Sequence, residues 1–258
     1  MPAPSPKDLP DLWIRRFRPH PEPEVRLVCF PHAGGSASYY HAFAQSPALT
    51  PTTEILAVQY PGRQDRRREP LVDNVPELAD RVTTALAPYL DRPLALFGHS
   101  MGAALAFEVA HRIPAPDRLF VSGRRAPSRF HPGTVHLLDD TGLAAELRRA
   151  GGTNPVFLDD EELLADILPI VRNDYRATET YRWTPSPPLR CPVTALVGDS
   201  DPQAPRDDVA AWREHTTGPF DLRVLPGGHF YLDSRRHEVT DIVAKALTRS
   251  EAVRGSRQ

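Results

Sequence analysis

The segment with the clearest chemical potential is residues 98–102, which reads Gly-His-Ser-Met-Gly. It follows an apolar run over 93–97 and precedes an amphipathic stretch that starts near Gly102. A serine in a Gly-x-Ser-x-Gly turn between a strand and a helix occupies a strained backbone position that exposes its hydroxyl. The dipole of the helix that follows favours developing negative charge at this point. The pattern predicts that Ser100 is a nucleophile.

A serine hydroxyl is a weak nucleophile near neutral pH, so it needs a general base and an acid to orient that base. His229 follows two glycines and the last predicted strand, and is the predicted base. Asp199 and Asp201 compete for the acid; Asp201 is favoured because the residue directly after a strand often closes the turn or caps the next helix. Less suitable candidates lie on predicted helices or in proline-flanked loops: His111, His131, His136, His215, His237, Asp207 and Asp208.

The oxyanion formed during acyl transfer needs backbone N–H donors, each contributing roughly a hundred- to thousand-fold in rate. Met101, which follows the predicted nucleophile, supplies one. The loop over 31–36 is expected to supply the second from Ala33, because the glycines after it leave room beside a pocket. His32 and His99 flank this site and are expected to shape the loops rather than to transfer protons.

Strands alternate with helices along most of the chain. Six apolar runs are each predicted as a strand buried on both faces: 25–30, 54–60, 93–97, 118–122, 193–197 and 221–225. Helical spacing recurs at 75–90, 102–112, 206–215 and 237–248. This alternation predicts an α/β fold with a mostly parallel sheet and right-handed crossovers, and residues 12–17 are expected to add an antiparallel edge strand.

One stretch breaks the alternation. Residues 128–188 contain no clear strand but two helical patterns, at 137–149 and 160–182. Such an insertion can cover a pocket at one end of the sheet, although a packing role alone is the alternative. The chain of 258 residues is predicted to form a single domain over 1–258 that carries this insertion.

Composition excludes several classes of function. With 31 basic and 33 acidic residues the net charge is −2, which gives no general attraction to nucleic acid or to an anionic membrane. Cys29 and Cys191 are too few for a disulfide framework or a CxxC metal site. Neither an apolar signal segment nor a run of membrane-spanning length is present, so a cytoplasmic protein is expected. The sequence contains no HExxH, P-loop or GxGxxG motif, and no metal or cofactor is expected.

Together the motifs resemble those of the type II thioesterases, the stand-alone α/β-hydrolases that accompany polyketide synthases and nonribosomal peptide synthetases. The matching segments, spread over about 25–235, are the 98–102 turn, 30–35, 59–63, 151–153, Leu168 and Pro169 with Asp174 and Tyr181, Gly198 and Asp199 with Asp201, and 228–231. The pair Phe-Pro-His-Ala-Gly-Gly and Tyr-Pro-Gly-Arg is the specific part, whereas the serine turn is shared with many hydrolases.

The resemblance implies an enzyme that removes aberrant or stalled acyl groups from the phosphopantetheine arm of acyl or peptidyl carrier proteins, without a cofactor and as a monomer. It assigns Ser100, Asp201 and His229 as catalytic triad, Ala33 and Met101 as oxyanion donors, and 128–188 as a mobile lid. Several arginines are interpreted either as contacts to an acidic carrier protein or as solvated surface charge: Arg63, Arg66 to Arg68, Arg124 and Arg125.

Two alternatives remain open at the level of sequence. A general carboxylesterase or lipase would use the same triad on oxygen esters. A relative that binds carrier proteins or transfers acyl groups without hydrolysis would retain the same fold.

Overall fold

A seven-stranded sheet forms the centre of the computed structural model, which describes residues 9–152 and 155–255. Thr153 of the resemblance motif lies outside the described residues. The strands, in chain order, are β1 Ile14–Arg15, β2 Val25–Phe30, β3 Thr53–Val58, β4 Leu94–His99, β5 Arg118–Ser122, β6 Val193–Gly198 and β7 Phe220–Leu225. Their spatial order is β1-β3-β2-β4-β5-β6-β7, and all neighbouring pairs are parallel except β1 with β3. The predicted α/β class is confirmed.

Ten α-helices connect or flank these strands within the described ranges. They are α1 Leu9–Trp13, α2 His41–Ala44, α3 Val75–Leu86, α4 Met101–Ala110, α5 Asp140–Ala150, α6 Pro155–Asp159, α7 Glu161–Thr180, α8 Arg206–Ala210, α9 Tyr231–Ser234 and α10 Arg236–Gly255. Helix α3 begins where the Asn74 side chain accepts the backbone N–H of Glu77, a standard N-cap.

The core lies on both faces of the sheet because successive side chains of a strand point in opposite directions. Along β4, Leu96 joins the layer under α3 and α4, whereas Phe97 joins the layer under α10. Phe107 of α4 and Val243 of α10 are representative buried partners on the two sides. The central strands β4 and β6 are therefore buried along their whole length, as predicted.

Two details of the predicted strands are wrong. The run at 221–225 forms β7 at the edge of the sheet, where helix cover is incomplete, and Val224 is 41% exposed rather than buried. The expected edge strand over 12–17 is limited to Ile14–Arg15, because the residues before it belong to α1.

The insertion between β5 and β6 is helical, as the spacing predicts, and has a small core of its own. Six of its side chains form this cluster: Leu143, Ala144, Leu147, Leu158, Leu168 and Val171. Asp139 and Asp160 cap α5 and α7 by accepting backbone N–H groups from the first turn. Helix α6 is an additional element that the sequence patterns did not indicate.

Candidate active site

Ser100 lies in a sharp turn between β4 and α4. Its backbone has φ 55° and ψ −117°, a left-handed conformation that a serine adopts only at a cost. The flanking glycines make this turn possible, since a Cβ on Gly98 would lie 2.0 Å from the carbonyl oxygen of Gly102. A Cβ on Gly102 would lie 2.0 Å from the carbonyl oxygen of Phe30. The turn therefore holds Ser100 at the carboxyl end of the central strand.

Ser100, His229 and Asp201 form a hydrogen-bonded chain. The Ser100 hydroxyl lies 3.0 Å from His229 Nε2, and His229 Nδ1 lies 2.8 Å from Asp201 Oδ2. Asp201 cannot donate as a carboxylate, so Nδ1 carries the imidazole proton and Nε2 is free to accept the serine proton. Both His229 and Asp201 are buried. This arrangement can activate a serine hydroxyl for attack on an acyl carbonyl.

The two competing aspartates have different partners. Asp199 Oδ1 accepts the backbone N–H of Gly227 at 3.0 Å and so fixes the loop that carries His229. Asp201 Oδ1 accepts the backbone N–H of Gln203 at 2.8 Å, which leaves Oδ2 directed at His229. The structure therefore places Asp201, rather than Asp199, against the imidazole.

The two predicted oxyanion donors come from neighbouring strand ends. Phe30 at the end of β2 pairs with Gly98 of β4, so the loop that contains Ala33 and the start of α4 at Met101 leave the same edge of the sheet. Among the described residues, the backbone N–H of Ala33 has no acceptor. The N–H of Met101, the first residue of α4, has none among them outside that helix. Two free donors beside Ser100 are what an oxyanion requires.

A cavity of about 330 Å³ opens onto Ser100 and His229. Its walls come from the loop after β5, from α5 and from the second half of α7. Among the residues that line it are Ala104, Arg124, Arg129, Tyr175, Thr178 and Trp183. The insertion thus contributes much of the wall, and the volume falls at the lower end of the range typical of small-molecule sites.

Comparison with known proteins identifies the family to which the chain belongs. A family model described as a thioesterase domain matches residues 25–248. The chain belongs to the thioesterase family. Thioesterase PikA5 of Streptomyces venezuelae is 53% identical over 242 residues, which cover 92% of this chain and 85% of that protein. A probable cadicidin biosynthesis thioesterase of Streptomyces griseus is 48% identical, covering 95% of this chain and 69% of that protein.

A solved structure extends the similarity to three dimensions. The type II thioesterase BorB from the borrelidin biosynthetic cluster is 50% identical, with a TM-score of 0.84 over 91% of this chain and 97% of BorB. The resemblance to type II thioesterases, the α/β-hydrolase fold and the assignment to enzymes acting on thioester bonds are confirmed.

The two histidines that flank the triad of this thioesterase are buried and uncharged. Burial and then the positive potential of His229 and Arg63 lower the pKa of His32 to about 3. Burial, with smaller effects of His229 and His32, also lowers the pKa of His99 well below its usual value. His99 Nδ1 lies 2.9 Å from the Ser122 hydroxyl, which lies 2.6 Å from the hydroxyl of Tyr231. Such neutral, packed rings shape the site and are poor proton carriers near pH 7.

The arginines singled out in the sequence have several environments. Arg63 and Arg66 are buried, so both interpretations as surface residues are wrong for these two. Arg63 forms an ion pair with Asp174, and Arg66 pairs with Glu69 while stacking on the ring of Trp13. Arg67 and Arg68 are exposed, whereas Arg124 and Arg125 line the cavity. The sequence gives no sign that Arg63 is buried, because its acidic partner is 111 positions away.

Four of the other candidate groups have partners outside the triad. His136 pairs with Glu179, His215 contacts the Ser128 hydroxyl, and Asp208 lies 3.6 Å from His131. Within the described residues, no three His, Cys, Asp or Glu side chains are grouped so that they could hold a metal ion. In the same part of the chain, no helix combines the length and apolar character needed to cross a bilayer.

Proposed function

We propose that this thioesterase releases aberrant or stalled acyl groups from the phosphopantetheine arm of acyl or peptidyl carrier proteins in polyketide or nonribosomal peptide biosynthesis. The observation that carries the proposal is the chain from Ser100 through His229 to Asp201 beside an open cavity. The names of BorB and of the Streptomyces griseus relative, which refer to borrelidin and cadicidin biosynthesis, support the biosynthetic setting.

Acylation proceeds by attack of Ser100 Oγ on the thioester carbonyl while His229 Nε2 takes the hydroxyl proton. Asp201 stabilises the imidazolium that forms, and the N–H groups of Ala33 and Met101 stabilise the oxyanion. Collapse of the tetrahedral intermediate breaks the C–S bond. His229 returns its proton to the departing thiolate, so the carrier leaves with a free phosphopantetheine thiol and the acyl group remains on Ser100.

Deacylation repeats these steps with water as the nucleophile. His229 takes a proton from water, the hydroxide attacks the acyl-serine, and His229 then protonates Ser100 Oγ as the C–O bond breaks. The products are a carboxylic acid and the free enzyme. Every proton passes through His229, so no metal or redox group takes part in the proposed cycle.

The remaining features belong to the same proposal. The chain acts as a single domain over 1–258, and the insertion at 128–188 acts as a lid that shapes the acyl chamber. The enzyme works as a monomer in the cytoplasm, where its carrier-protein partners would be found. The buried, unpaired thiols of Cys29 and Cys191 are compatible with that compartment.

The test is a comparison of hydrolysis rates on acyl-carrier or acyl-pantetheine thioesters and on a small aryl ester. We expect the thioesters to have the higher kcat/KM and Ser100→Ala to abolish turnover while thermal unfolding stays unchanged. Equal or faster turnover of the aryl ester would favour a general carboxylesterase. Carrier binding without hydrolysis by the native chain would favour the non-hydrolytic alternative.

A further inference from the structure

Arg124 occupies a distinctive position beside the reacting groups. The preceding residue, Gly123, packs directly on the triad, since a Cβ there would lie 3.4 Å from His229 Cε1 and 2.7 Å from His99 Cε1. The carbonyl oxygen of Arg124 accepts the indole N–H of Trp212 at 2.8 Å, which fixes the backbone. The side chain lines the same cavity as Ser100. Arg124 is therefore held close to where an acyl chain would lie.

The guanidinium of Arg124 lacks a partner among the described residues. Three other arginines line the cavity, and each pairs with a carboxylate: Arg125 with Asp208, Arg129 with Glu214 and Arg149 with Glu146. The Glu179 carboxylate, which also lines the cavity, is already bonded to His136 and to the backbone N–H of Val135. Among the described residues that line the cavity, no carboxylate therefore pairs with Arg124.

The electrostatic environment agrees with this geometry. Burial, together with the nearby charge of Arg125, lowers the pKa of Arg124 to about 10, and only Tyr181 opposes the shift. The residue is nevertheless half-buried rather than sealed, and Arg124 has no nitrogen atom that is both fully buried and without a hydrogen-bond partner. A charged group in such a place is costly unless hydrogen-bond acceptors meet it. An alkyl chain in the cavity would displace water from the guanidinium and provide no acceptor in return.

We propose that Arg124 binds an oxygen atom of the acyl chain, so that this thioesterase prefers acyl groups bearing a hydroxyl, keto or carboxyl oxygen over unsubstituted alkyl groups. The planar fork of N–H donors suits such acceptors better than a single ammonium would. The proposal rests on the thioesterase function and names its substrate class. The amide carbonyls of the pantetheine arm are acceptors too, and the experiment separates the two sources.

The experiment compares hexanoyl and 3-hydroxyhexanoyl thioesters on the same pantetheine arm. We expect the native enzyme to show roughly tenfold higher kcat/KM for the hydroxylated chain, the value of one hydrogen bond to a charged donor. Arg124→Met should remove most of that preference, because methionine offers no donor to the hydroxyl oxygen. Arg213→Met, at an exposed arginine that packs on Phe220 away from the cavity, is the matched control and should keep the native ratio.

A third thioester of equal chain length that ends in a carboxylate distinguishes the acceptors. Loss of preference for the hydroxylated or for the carboxylated chain in Arg124→Met supports the proposal and identifies the preferred oxygen. An equal loss on all three substrates would overturn it and assign the guanidinium to the pantetheine arm or to folding.

The native enzyme alone also tests the proposal. If Arg124→Met fails to fold, the absence of any native preference for oxygenated chains overturns it, and Arg124→Lys should show a reduced preference. Such a failure is distinct from failure of the thioesterase function, because thioester hydrolysis by the native enzyme, lost in Ser100→Ala, would continue.

Discussion

Asp174, on helix α7 of the insertion, accepts the backbone N–H of Gly34 through Oδ2 at 2.8 Å. Gly34 follows the proposed oxyanion donor Ala33, so a side chain of the insertion fixes the loop that carries this donor. The same oxygen pairs with Arg63, and both side chains are buried, at 1% and 5% exposure. Val171, one turn earlier on α7, lies directly over Gly34, since a Cβ there would be 2.9 Å from Val171 Cγ2. This part of α7 therefore supports the loop over 31–36, the proposed oxyanion loop.

Substitution of Asp174 by Asn should lower kcat more than it changes KM. The amide oxygen carries no charge and leaves the buried guanidinium of Arg63 uncompensated, so we expect a loss of roughly tenfold or more in kcat and a few kcal/mol in stability. Asp166→Asn, at an exposed site on the same helix, is the matched control. Steady-state kinetics, measured below the unfolding temperature of each variant, give kcat and KM separately. A rise in KM at unchanged kcat would assign Asp174 to substrate binding instead.

The two aspartates after β6 provide a second test within one turn. Asp201→Asn would let an amide N–H face His229 Nδ1 and favour the wrong imidazole tautomer, so kcat should fall by roughly 10³- to 10⁴-fold. Asp199→Asn keeps an oxygen that can accept the Gly227 N–H, so its kcat should stay within a few-fold of the native value. Comparable losses in the two variants would contradict the assignment of the acid.

The glycines of the site offer a test of packing. Gly102→Ala places a methyl group 2.0 Å from a backbone oxygen of β2, which neither element can avoid without moving, and we expect a loss of several kcal/mol or failure to fold. Gly228→Ala is the control, because a Cβ there has no atom within 4 Å. Its unfolding free energy should change by less than about 1 kcal/mol. Urea unfolding followed by circular dichroism measures both, and similar midpoints would refute the close-approach argument.

Most of the sheet could be predicted because strands buried on both faces are continuous apolar runs in the sequence. Because these strands are parallel, the loops after them bring Ser100, His229 and Asp201 to one edge of the sheet. The predicted burial of β7 on both faces is wrong although its sequence carries a signal: in 221–224 polar and apolar residues alternate, which is typical of a strand with one exposed face.

The contacts that support the oxyanion loop could not be predicted in the same way. Gly34 and Asp174 are 140 positions apart, and no local pattern of charge or hydrophobicity relates them. The motif resemblance includes Asp174 and Arg63 but assigns neither of them a partner. Their pairing depends on how α7 lies on the loop after β2, which is a result of tertiary packing alone.

Acid should destabilise the folded enzyme through His32. This histidine stays neutral in the folded state because burial lowers its pKa to about 3, whereas in the unfolded chain it takes up a proton below about pH 6.5. The unfolded state then binds more protons, so stability is lost as pH falls from about 6.5 toward 3. Between about pH 7 and pH 5 this single group lowers the free energy of unfolding by roughly 2 kcal/mol.

The variant His32→Phe tests this prediction, because it keeps an aromatic ring against Tyr39 and Phe230 but removes the titrating group. Plotted against pH, its unfolding free energy should run parallel to the native curve above about pH 7.5, where histidine is neutral in both states, and fall less steeply below about pH 6.5. Parallel curves across the whole range would show that His32 does not contribute to the acid lability.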